Sequence, residues 1–222
     1  ALVTMIAGGS ASWLPWINTY LSYLDASRMD FMEFDFEGSY SVANLEGFFS
    51  MLYDSLQTRT CGNDPTKKPF IVLTAGVGNA ITWSTTTIRA KIEFLNLMSY
   101  DYNNNAWGRV TFDNSPKSYT NYDGTGPATD SVGTGVNAIA PSMQRMAFRV
   151  AASGWPMNKI NVGVDFNGGS WPNTSYIRQA PAPNDGGGSN ATFAQNWATW
   201  SAIPSDSIFF DRVARAYWAR VG

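Results

Sequence analysis

The sequence contains no histidine and a single cysteine, and each scarcity excludes several kinds of active site. Without histidine the chain can form neither a Ser-His-Asp triad nor a Cys-His nucleophile pair, and it cannot bind zinc through imidazole. Cys61 has no second cysteine with which to pair, so we predict a structural role for it. Acid–base chemistry must therefore fall to carboxylates, tyrosine or lysine.

Charged residues are scarce as well. Only 14% of the 222 residues are charged, the net charge is −2, and no basic run is longer than Lys67-Lys68. Nucleic acids and anionic membranes attract clusters of lysine and arginine, so we expect neither as a partner. No apolar run approaches the roughly 20 residues that cross a bilayer. With 44% apolar residues, the chain has the composition of a folded globular protein with one sizeable core.

Acidic residues are densest in one stretch, residues 30–37, which reads Asp-Phe-Met-Glu-Phe-Asp-Phe-Glu and is followed by Gly38. Side chains alternate between the two faces of a β-strand, so Glu33, Asp35 and Glu37 are predicted to share one face. The opposite face then carries Met32, Phe34 and Phe36. The alternative is an ordinary solvent-exposed face, but such a face would mix lysine, threonine or serine with the acids. Neighbouring carboxylates raise each other's proton affinity, which suits proton transfer near neutral pH.

Further strands and helices alternate along the chain. Apolar runs predict strands over residues 1–6, 70–74 and 94–98, and a further strand is predicted over residues 159–166. Helical spacing predicts three helices, with Pro15 in the first turn of one, Ser41 as the cap of the next, and Gly154 at the end of the last. Their apolar stripes are Ile17, Leu21 and Leu24; Leu45, Phe48, Leu52 and Leu56; and Met143, Met146, Ala147 and Val150.

Strands separated by helices form a parallel sheet, which can be open or closed into a barrel. No G-x-G-x-x-G fingerprint of a dinucleotide site follows any of these strands, so we favour the barrel. In such barrels the catalytic residues lie at the carboxyl ends of the strands. Glu37 and the pair Tyr100-Asp101 both occupy such positions in the sequence.

Three motifs carry a family resemblance. Residues 30–37 read D-x-x-E-x-D-x-E, which resembles the D-x-x-D-x-D-x-E signature on the fourth barrel strand of family 18 glycoside hydrolases, the chitinases and their relatives. Residues 98–101, Met-Ser-Tyr-Asp, are similar to that family's Met-x-Tyr-Asp motif on the sixth strand. Gly8-Gly9 resembles part of its Ser-x-Gly-Gly motif on the third strand. The chain departs from the family at Glu33, where aspartate is usual, and at Gly38, where an aromatic residue is common.

The resemblance implies catalytic roles for four residues. Glu37 would be the general acid, and Asp35 would be its partner that turns to hold the acetamido N–H of the substrate. Tyr100 would hydrogen-bond the acetamido oxygen, and Asp101 would help to position the same sugar. In this family the acetamido group itself attacks the anomeric carbon, so retention of configuration needs no carboxylate nucleophile. The mechanism uses no metal and no cofactor.

The remaining matched residues would support the site. Asp30 and Glu33 would be supporting acids, and Met98 would belong to the same supporting group. Gly8 and Gly9 would contribute to substrate binding.

Several of these candidates have plainer alternatives. Trp107 and Trp171 follow predicted strands, where their rings can stack on the C–H faces of sugars, or they are ordinary partly buried side chains. Met98 and Tyr100 can equally be core residues at the end of a strand. Asp101 can cap a turn.

The predicted fold is an α/β protein of the TIM-type (β/α)8 barrel, incomplete in this chain. Five strands, the third to the seventh of the family order, fall in residues 1–171. Residues 172–222 resemble part of a small insertion between strands seven and eight. A complete barrel has eight strands and about 250 residues. We therefore expect that this sequence is a portion of a longer protein or that a further polypeptide completes the barrel.

The function that the resemblance implies is hydrolysis of β-1,4-N-acetylglucosamine linkages in chitin or chitooligosaccharides. One alternative is an endo-β-N-acetylglucosaminidase that acts on N-glycans, and another is a chitinase-like lectin that binds the same sugars without cleaving them. Loss of the catalytic glutamate is the usual route to such a lectin, and the presence of Glu37 favours an enzyme. The triplets at Asn173 and Asn190 fit the glycosylation sequon, and we predict a secreted, extracellular protein.

Overall fold

The structure is a computed structural model that describes residues 2–100, 143–164, 168–170, 189–191, 201–205, 208–211 and 216–219. The chain divides into two compact units. The first is Ala1–Met98 with Arg149–Asn161, and the second is Ser99–Phe148 with Val162–Gly222. The domain boundary predicted after residue 171 lies outside the described residues, so it stays a prediction.

A four-stranded sheet is the central element. Its strands, in order across the sheet, are β1 (Phe31–Asp35), β2 (Phe70–Gly76), β3 (Phe94–Met98) and β4 (Ile160–Val162). β1 is parallel to β2, and β2 is parallel to β3. The predicted α/β fold with a parallel sheet is therefore confirmed, and so are the strands predicted over residues 70–74 and 94–98. Two separate antiparallel pairs follow: β5 (Gly168–Ser170) with β6 (Ser189–Ala191), and β7 (Ile208–Asp211) with β8 (Ala216–Ala219).

Helices occupy much of the rest of the described chain. They are α1 (Leu2–Ala7), α2 (Ser10–Ser27), α3 (Val42–Gln57), α4 (Val77–Thr82), α5 (Thr86–Lys91) and α6 (Met143–Ala152). α3 begins as predicted, because the Ser41 hydroxyl accepts a hydrogen bond from the Asn44 backbone N–H at 3.5 Å. α6 ends two residues before Gly154, whose φ of 111° is one that glycine adopts readily. Within the described residues, no helix is long and apolar enough to cross a membrane.

Residues 1–6 do not form the predicted strand, because residues 2–7 are the helix α1. A short apolar run carries no period that distinguishes a buried strand from a buried helix. Ile6 is almost fully buried, and its carbonyl accepts a hydrogen bond from Trp13 Nε1 at 3.0 Å. α1 packs against α2 and α3, so its apolar residues are buried without joining the sheet.

The helix that contains Pro15 starts earlier than the sequence predicts. α2 begins at Ser10, which places Pro15 inside the helix instead of in its first turn. Proline in that position removes one backbone hydrogen bond. The cost is offset by one buried stripe along the helix, formed by Trp13, Ile17, Leu21 and Leu24.

The last strand of the sheet is also shorter than the predicted residues 159–166. A 3-10 helix covers Met157–Lys159, and β4 covers only Ile160–Val162. Lys159 Nζ donates a hydrogen bond to the Ile92 carbonyl at 2.8 Å and lies 3.8 Å from a Glu93 carboxylate oxygen. These contacts hold Lys159 in the connection before the strand. Residues 165–167 lie outside the described part of the chain.

The buried face of β1 packs against the helices through aromatic rings. Phe34 meets Phe48 and Phe49 of α3 edge-on, with ring centroids 5.6 and 5.9 Å apart, and Trp16 of α2 at 5.8 Å. Burying one phenylalanine stabilises a fold by roughly 1.5–3 kcal/mol. A slip of one residue in the register of β1 would move these rings to the other face, so the packing determines which side chains of β1 stay exposed.

Candidate active site

The two faces of β1 differ as the sequence predicts. Met32, Phe34 and Phe36 are at most 4% exposed, whereas Glu33, Asp35 and Glu37 are exposed. The acids share one face because the opposite face is occupied by the aromatic core. Glu37 lies two residues after the last residue of the strand, at its carboxyl end. The predicted acidic strand is confirmed as a structural element.

The loop that carries Glu37 is held on both sides. The Phe36 backbone N–H donates to the Thr74 carbonyl at 3.1 Å, which extends the pairing of β1 with β2 beyond the strand. Asn79 Nδ2 of α4 donates to the Gly38 carbonyl at 3.1 Å. Gly38 has a φ of 118°, a backbone conformation that side chains with a Cβ rarely adopt. The chain therefore has a conformational reason for glycine where the family commonly has an aromatic residue.

Replacing Gly38 with alanine is expected to lower the free energy of unfolding by about 1–2 kcal/mol, because alanine disfavours a positive φ. The space is not limiting, since a Cβ at Gly38 would meet nothing within 4 Å. Gly78 in α4 is the matched control: its Cβ would also meet nothing, and its φ is not positive. Gly78→Ala should be neutral or stabilising. Chemical denaturation of both variants checks this, and equal effects would contradict the backbone explanation.

Tyr40 is a site residue that sequence reasoning missed. Its ring stacks on Phe36 at 5.0 Å and meets Trp83 edge-on at 5.8 Å. Burial raises the pKa of the Tyr40 hydroxyl, and the charges of Asp35 and Glu37 raise it further. The signal in the sequence was a tyrosine three positions after Glu37, whereas the family commonly has an aromatic residue directly after the glutamate.

Glu33 is bound by residues of two other strands. Its Oε1 atom accepts hydrogen bonds from Thr74 Oγ1 of β2 at 2.5 Å and from Asn96 Nδ2 of β3 at 2.8 Å. Asn161 Nδ2 of β4 donates to Asn96 Oδ1 at 3.0 Å. Sequence reasoning missed all three partners. The signal in the sequence was one polar residue in each of two otherwise apolar strands, Thr74 in residues 70–74 and Asn96 in residues 94–98.

Asp30 lies at the other end of the acidic stretch. It precedes β1, so it stands seven residues from Glu37, roughly 23 Å along an extended strand. Its carboxylate accepts hydrogen bonds from Asn63, at 3.0 Å from Nδ2 and 3.2 Å from the backbone N–H. Hydrogen bonds from Asn63 hold the pKa of Asp30 below its usual range. The structure thus places Asp30 against a loop and not beside Asp35 and Glu37.

Replacing Asn63 with alanine is expected to destabilise the protein in a pH-dependent way. Because the pKa of Asp30 is lower in the folded state than in the unfolded chain, its interactions stabilise the fold at pH values above the ordinary carboxyl pKa of about 4. This stabilisation is lost as the pH falls through the pKa of the folded state. The difference in melting temperature between parent and Asn63→Ala should therefore be largest near neutral pH and shrink below about pH 4. In an Asp30→Asn background the pH dependence of this difference should vanish. A difference that is constant from neutral to acidic pH would contradict the linkage.

Cys61 is buried near the same loop, and burial raises the pKa of its thiol, with the charges of Asp30 and Asp64 adding to the effect. A buried thiol with a raised pKa is a poor nucleophile. The location agrees with the structural role predicted for it.

The other predicted site residues are only partly described. Gly8 and Gly9 connect α1 to α2, so their predicted place at the end of a strand is wrong. Met98 ends β3 as predicted, opposite Gly76 of β2. Tyr100 is partly buried and belongs to the second compact unit. Asp101, Trp107 and Trp171 lie outside the described residues.

No group of three or more acidic or cysteine side chains in the described part of the chain is arranged to hold a metal ion. The exposed face of β1 carries the carboxylates of Glu33 and Asp35, and Glu37 follows two residues after Asp35, just beyond the strand. The charges of Asp35 and Glu37 both contribute to the raised pKa of Tyr40. This arrangement can hold and donate a proton at the carboxyl end of the sheet.

Comparison with known proteins gives a family and a fold. The sequence profile of the glycosyl hydrolases of family 18 matches residues 7–219. A search of curated protein sequences finds no match. The structure is similar to an immunomodulatory active chitinase of Trichuris suis, TsES1, with a TM-score of 0.76 at 16% identity, and the match covers 100% of this chain and 60% of that one.

Two further similar structures are human YKL-39 and a group IV chitinase of Ostrinia furnacalis. YKL-39 is described as a pseudo-chitinase with retained chitooligosaccharide binding; its TM-score is 0.70 at 16% identity, and the match covers 98% of this chain and 60% of that one. The Ostrinia enzyme has a TM-score of 0.71 at 14% identity, with coverage of 97% and 59%. At such identities the likeness shows the fold alone. The chain spans about 60% of the length of these three proteins.

Proposed function

Since the chain belongs to the glycosyl hydrolases of family 18, we propose that it hydrolyses β-1,4-N-acetylglucosamine linkages in chitin or chitooligosaccharides. The observation that carries the proposal is the pair Asp35 and Glu37 on the exposed face of β1, with Glu37 at the carboxyl end on a loop held by Asn79. Parallel sheets of this kind present their catalytic groups at that end.

In the proposed reaction Glu37 donates a proton to the glycosidic oxygen while the acetamido oxygen of the sugar attacks its own anomeric carbon. Asp35 holds the acetamido N–H and so orients the attacking group. Tyr100 hydrogen-bonds the acetamido oxygen, and Asp101 positions the same sugar. Water then attacks the anomeric carbon from the face that the leaving group has vacated. The bond between that carbon and the acetamido oxygen breaks, and Glu37 accepts a proton from the water, so the product keeps the β configuration.

We further propose that a barrel of eight strands encloses this site and that further polypeptide helps to complete it. The proposal is supported by the similar structures, of which this chain spans about 60%. Trp107 and Trp171 are proposed as platforms for neighbouring sugars, and the protein is proposed to be secreted.

A chitinase-like lectin is the second candidate. It is favoured by the two departures at the site, Glu33 and Gly38, and by the likeness to YKL-39, a pseudo-chitinase with retained chitooligosaccharide binding. A lectin of this kind would bind N-acetylglucosamine oligomers through the same face and release them unchanged.

Incubation with N-acetylglucosamine hexamer distinguishes the candidates. Hydrolysis, followed by chromatography of the products and by proton NMR of the new anomers, should give shorter oligomers that first appear in the β form. Calorimetric binding without any cleavage would support the lectin and overturn the hydrolase. Neither binding nor cleavage would overturn both. Release of sugar from an N-glycoprotein but not from the hexamer would shift the substrate class to N-glycans.

A further inference from the structure

A polar network crosses the sheet on the same face as Asp35. Glu33 contacts Thr74 and Asn96 through one carboxylate oxygen, and Asn96 in turn contacts Asn161. One side chain comes from each strand, β1 to β4. The network therefore ties the acidic strand to the other three strands of the sheet directly beside the proposed acid pair.

The register explains why the first member is glutamate. In the register of the sheet, Glu33 pairs with Val72. Thr74 lies two residues further toward the carboxyl end of β2, where it pairs with Asp35 on one side and with Asn96 on the other. Glu33 therefore reaches forward to the level of Asp35 and across β2 toward β3. β1 and β3 are two strand spacings apart, roughly 9.6 Å. Aspartate, one methylene shorter, could not keep both hydrogen bonds, which gives a structural reason for the departure from the family pattern.

The amide of Asn96 has one orientation that satisfies both neighbours. A carboxylate only accepts hydrogen bonds, so the NH2 group of Asn96 must face Glu33. Its oxygen then faces away and needs a donor, which Asn161 supplies at 3.0 Å. Asn161 therefore determines the orientation of Asn96, and Asn96 with Thr74 determines the orientation of Glu33.

We propose that Thr74, Asn96 and Asn161 are positioning residues of the hydrolytic site, which hold the Glu33 carboxylate in one position at the level of Asp35. The role rests on the hydrolysis proposed above, in which positive charge develops on the sugar ring in the transition state. A carboxylate held in one place presents that ring with a negative charge at a defined position. Released, Glu33 would move freely beside Asp35 and change the field at the acid pair.

Other titratable groups near the network would also affect a pH–activity profile. In the described residues, the register adds only uncharged residues to this face from β2 and β3, namely Phe70, Val72, Gly76, Phe94 and Met98. The other titratable groups at this end of β1 are Glu37, two residues after the strand, and Tyr40, whose hydroxyl pKa is raised in part by the charges of Asp35 and Glu37. The ion pair of Lys159 with Glu93 lies at the opposite end of β3, before the strand begins.

The test uses five variants of the chain, one of which combines Glu33→Asp with Asn96→Ala. Glu33→Asp shortens the carboxylate, and Asn96→Ala removes its partner on β3. In the double variant Glu33→Asp/Asn96→Gln, the side chain at position 33 is one methylene shorter and the side chain at position 96 is one methylene longer, so the contact should form again. Asn158→Ala, an exposed asparagine outside the network, is the matched control. Melting temperature is measured for each, together with kcat and KM for a soluble chitooligosaccharide from about pH 3 to 9.

Glu33→Asp and Asn96→Ala are each expected to lower kcat about tenfold with KM within twofold, since the lost interaction acts on the transition state. Both should shift the acidic limb of the pH–activity profile, because the carboxylate at position 33 no longer holds its position relative to Asp35. Combined as Glu33→Asp/Asn96→Ala, their effects on melting temperature should not add. The rebuilt variant should recover at least half of the melting temperature lost by Glu33→Asp, and its profile should return toward that of the parent.

Each other result overturns a distinct claim. Additive losses of melting temperature with no recovery in the rebuilt variant would overturn the network, whatever the activity of the parent. Coupled losses with unchanged kcat and an unchanged profile in an active parent would overturn the positioning role alone. Coupled losses in a parent that neither binds nor cleaves the sugar would overturn the proposed function, and the catalytic role of the network with it.

Discussion

Replacing Glu37 with glutamine is expected to reduce kcat for a soluble chitooligosaccharide by about a thousandfold, within the range that general acids contribute. The amide keeps the size and shape of the side chain, but it has no acidic proton to donate to the leaving oxygen. The dissociation constant for the oligomer should change by less than about threefold, because binding does not need that proton. Steady-state kinetics and calorimetry on the same preparation measure both quantities.

Glu46→Gln on α3 is the matched control for this change. It makes the same chemical replacement on the helix that follows the acidic strand, outside the proposed site. Its kcat should equal that of the parent. Turnover by Glu37→Gln within tenfold of the parent would rule out Glu37 as the acid, and a large loss in the control would mean that the assay reports folding.

Removing the acetyl group from the substrate is expected to have an effect of similar size. If the acetamido oxygen is the nucleophile, an oligomer should not be cut wherever the sugar on the non-reducing side of the bond is deacetylated. An attached nucleophile in the correct orientation is equivalent to a very high effective concentration, about 10⁵ M or more, so its loss should reduce cleavage at that bond by at least about a thousandfold. Sequencing the products of partially deacetylated oligomers by mass spectrometry gives the frequency of cleavage at each position.

Thiazoline analogues of the oligomers provide the complementary measurement. They resemble the cyclic intermediate, so they should inhibit competitively and bind more tightly than the substrate. Efficient cleavage next to a deacetylated sugar, together with weak inhibition by the thiazoline, would exclude the substrate-assisted mechanism. The reaction would then need a second carboxylate as nucleophile.

The acidic strand and helix α3 could be predicted from the sequence because both follow from local periodicity. A period of two across residues 31–37 separates the acids from Met32, Phe34 and Phe36, and those three are the buried ones. A helical period across residues 45–56 predicts the stripe that packs against them. Neither inference needs to know which elements are neighbours in space.

Two helical features could not be predicted on these grounds. Residues 2–7 are apolar enough for a strand, and only their packing against α2 and α3 makes them a helix. Pro15 would ordinarily mark the first turn, but the buried stripe from Trp13 to Leu24 extends α2 to Ser10. In both cases tertiary burial outweighs a local preference.

By itself, the sequence determined which side chains of β1 face the core and to which family the chain belongs, and it singled out Asp35 and Glu37 as the proposed acid pair. Each depends on residues close together in the chain. Only the tertiary structure decided what Glu33 contacts, because Thr74 is 41 and Asn96 is 63 residues away, and the contacts require the order and register of three strands. The same holds for Asp30, which looks like a member of the acid group in sequence. An extended strand carries it to the far end of the sheet, where Asn63 binds it.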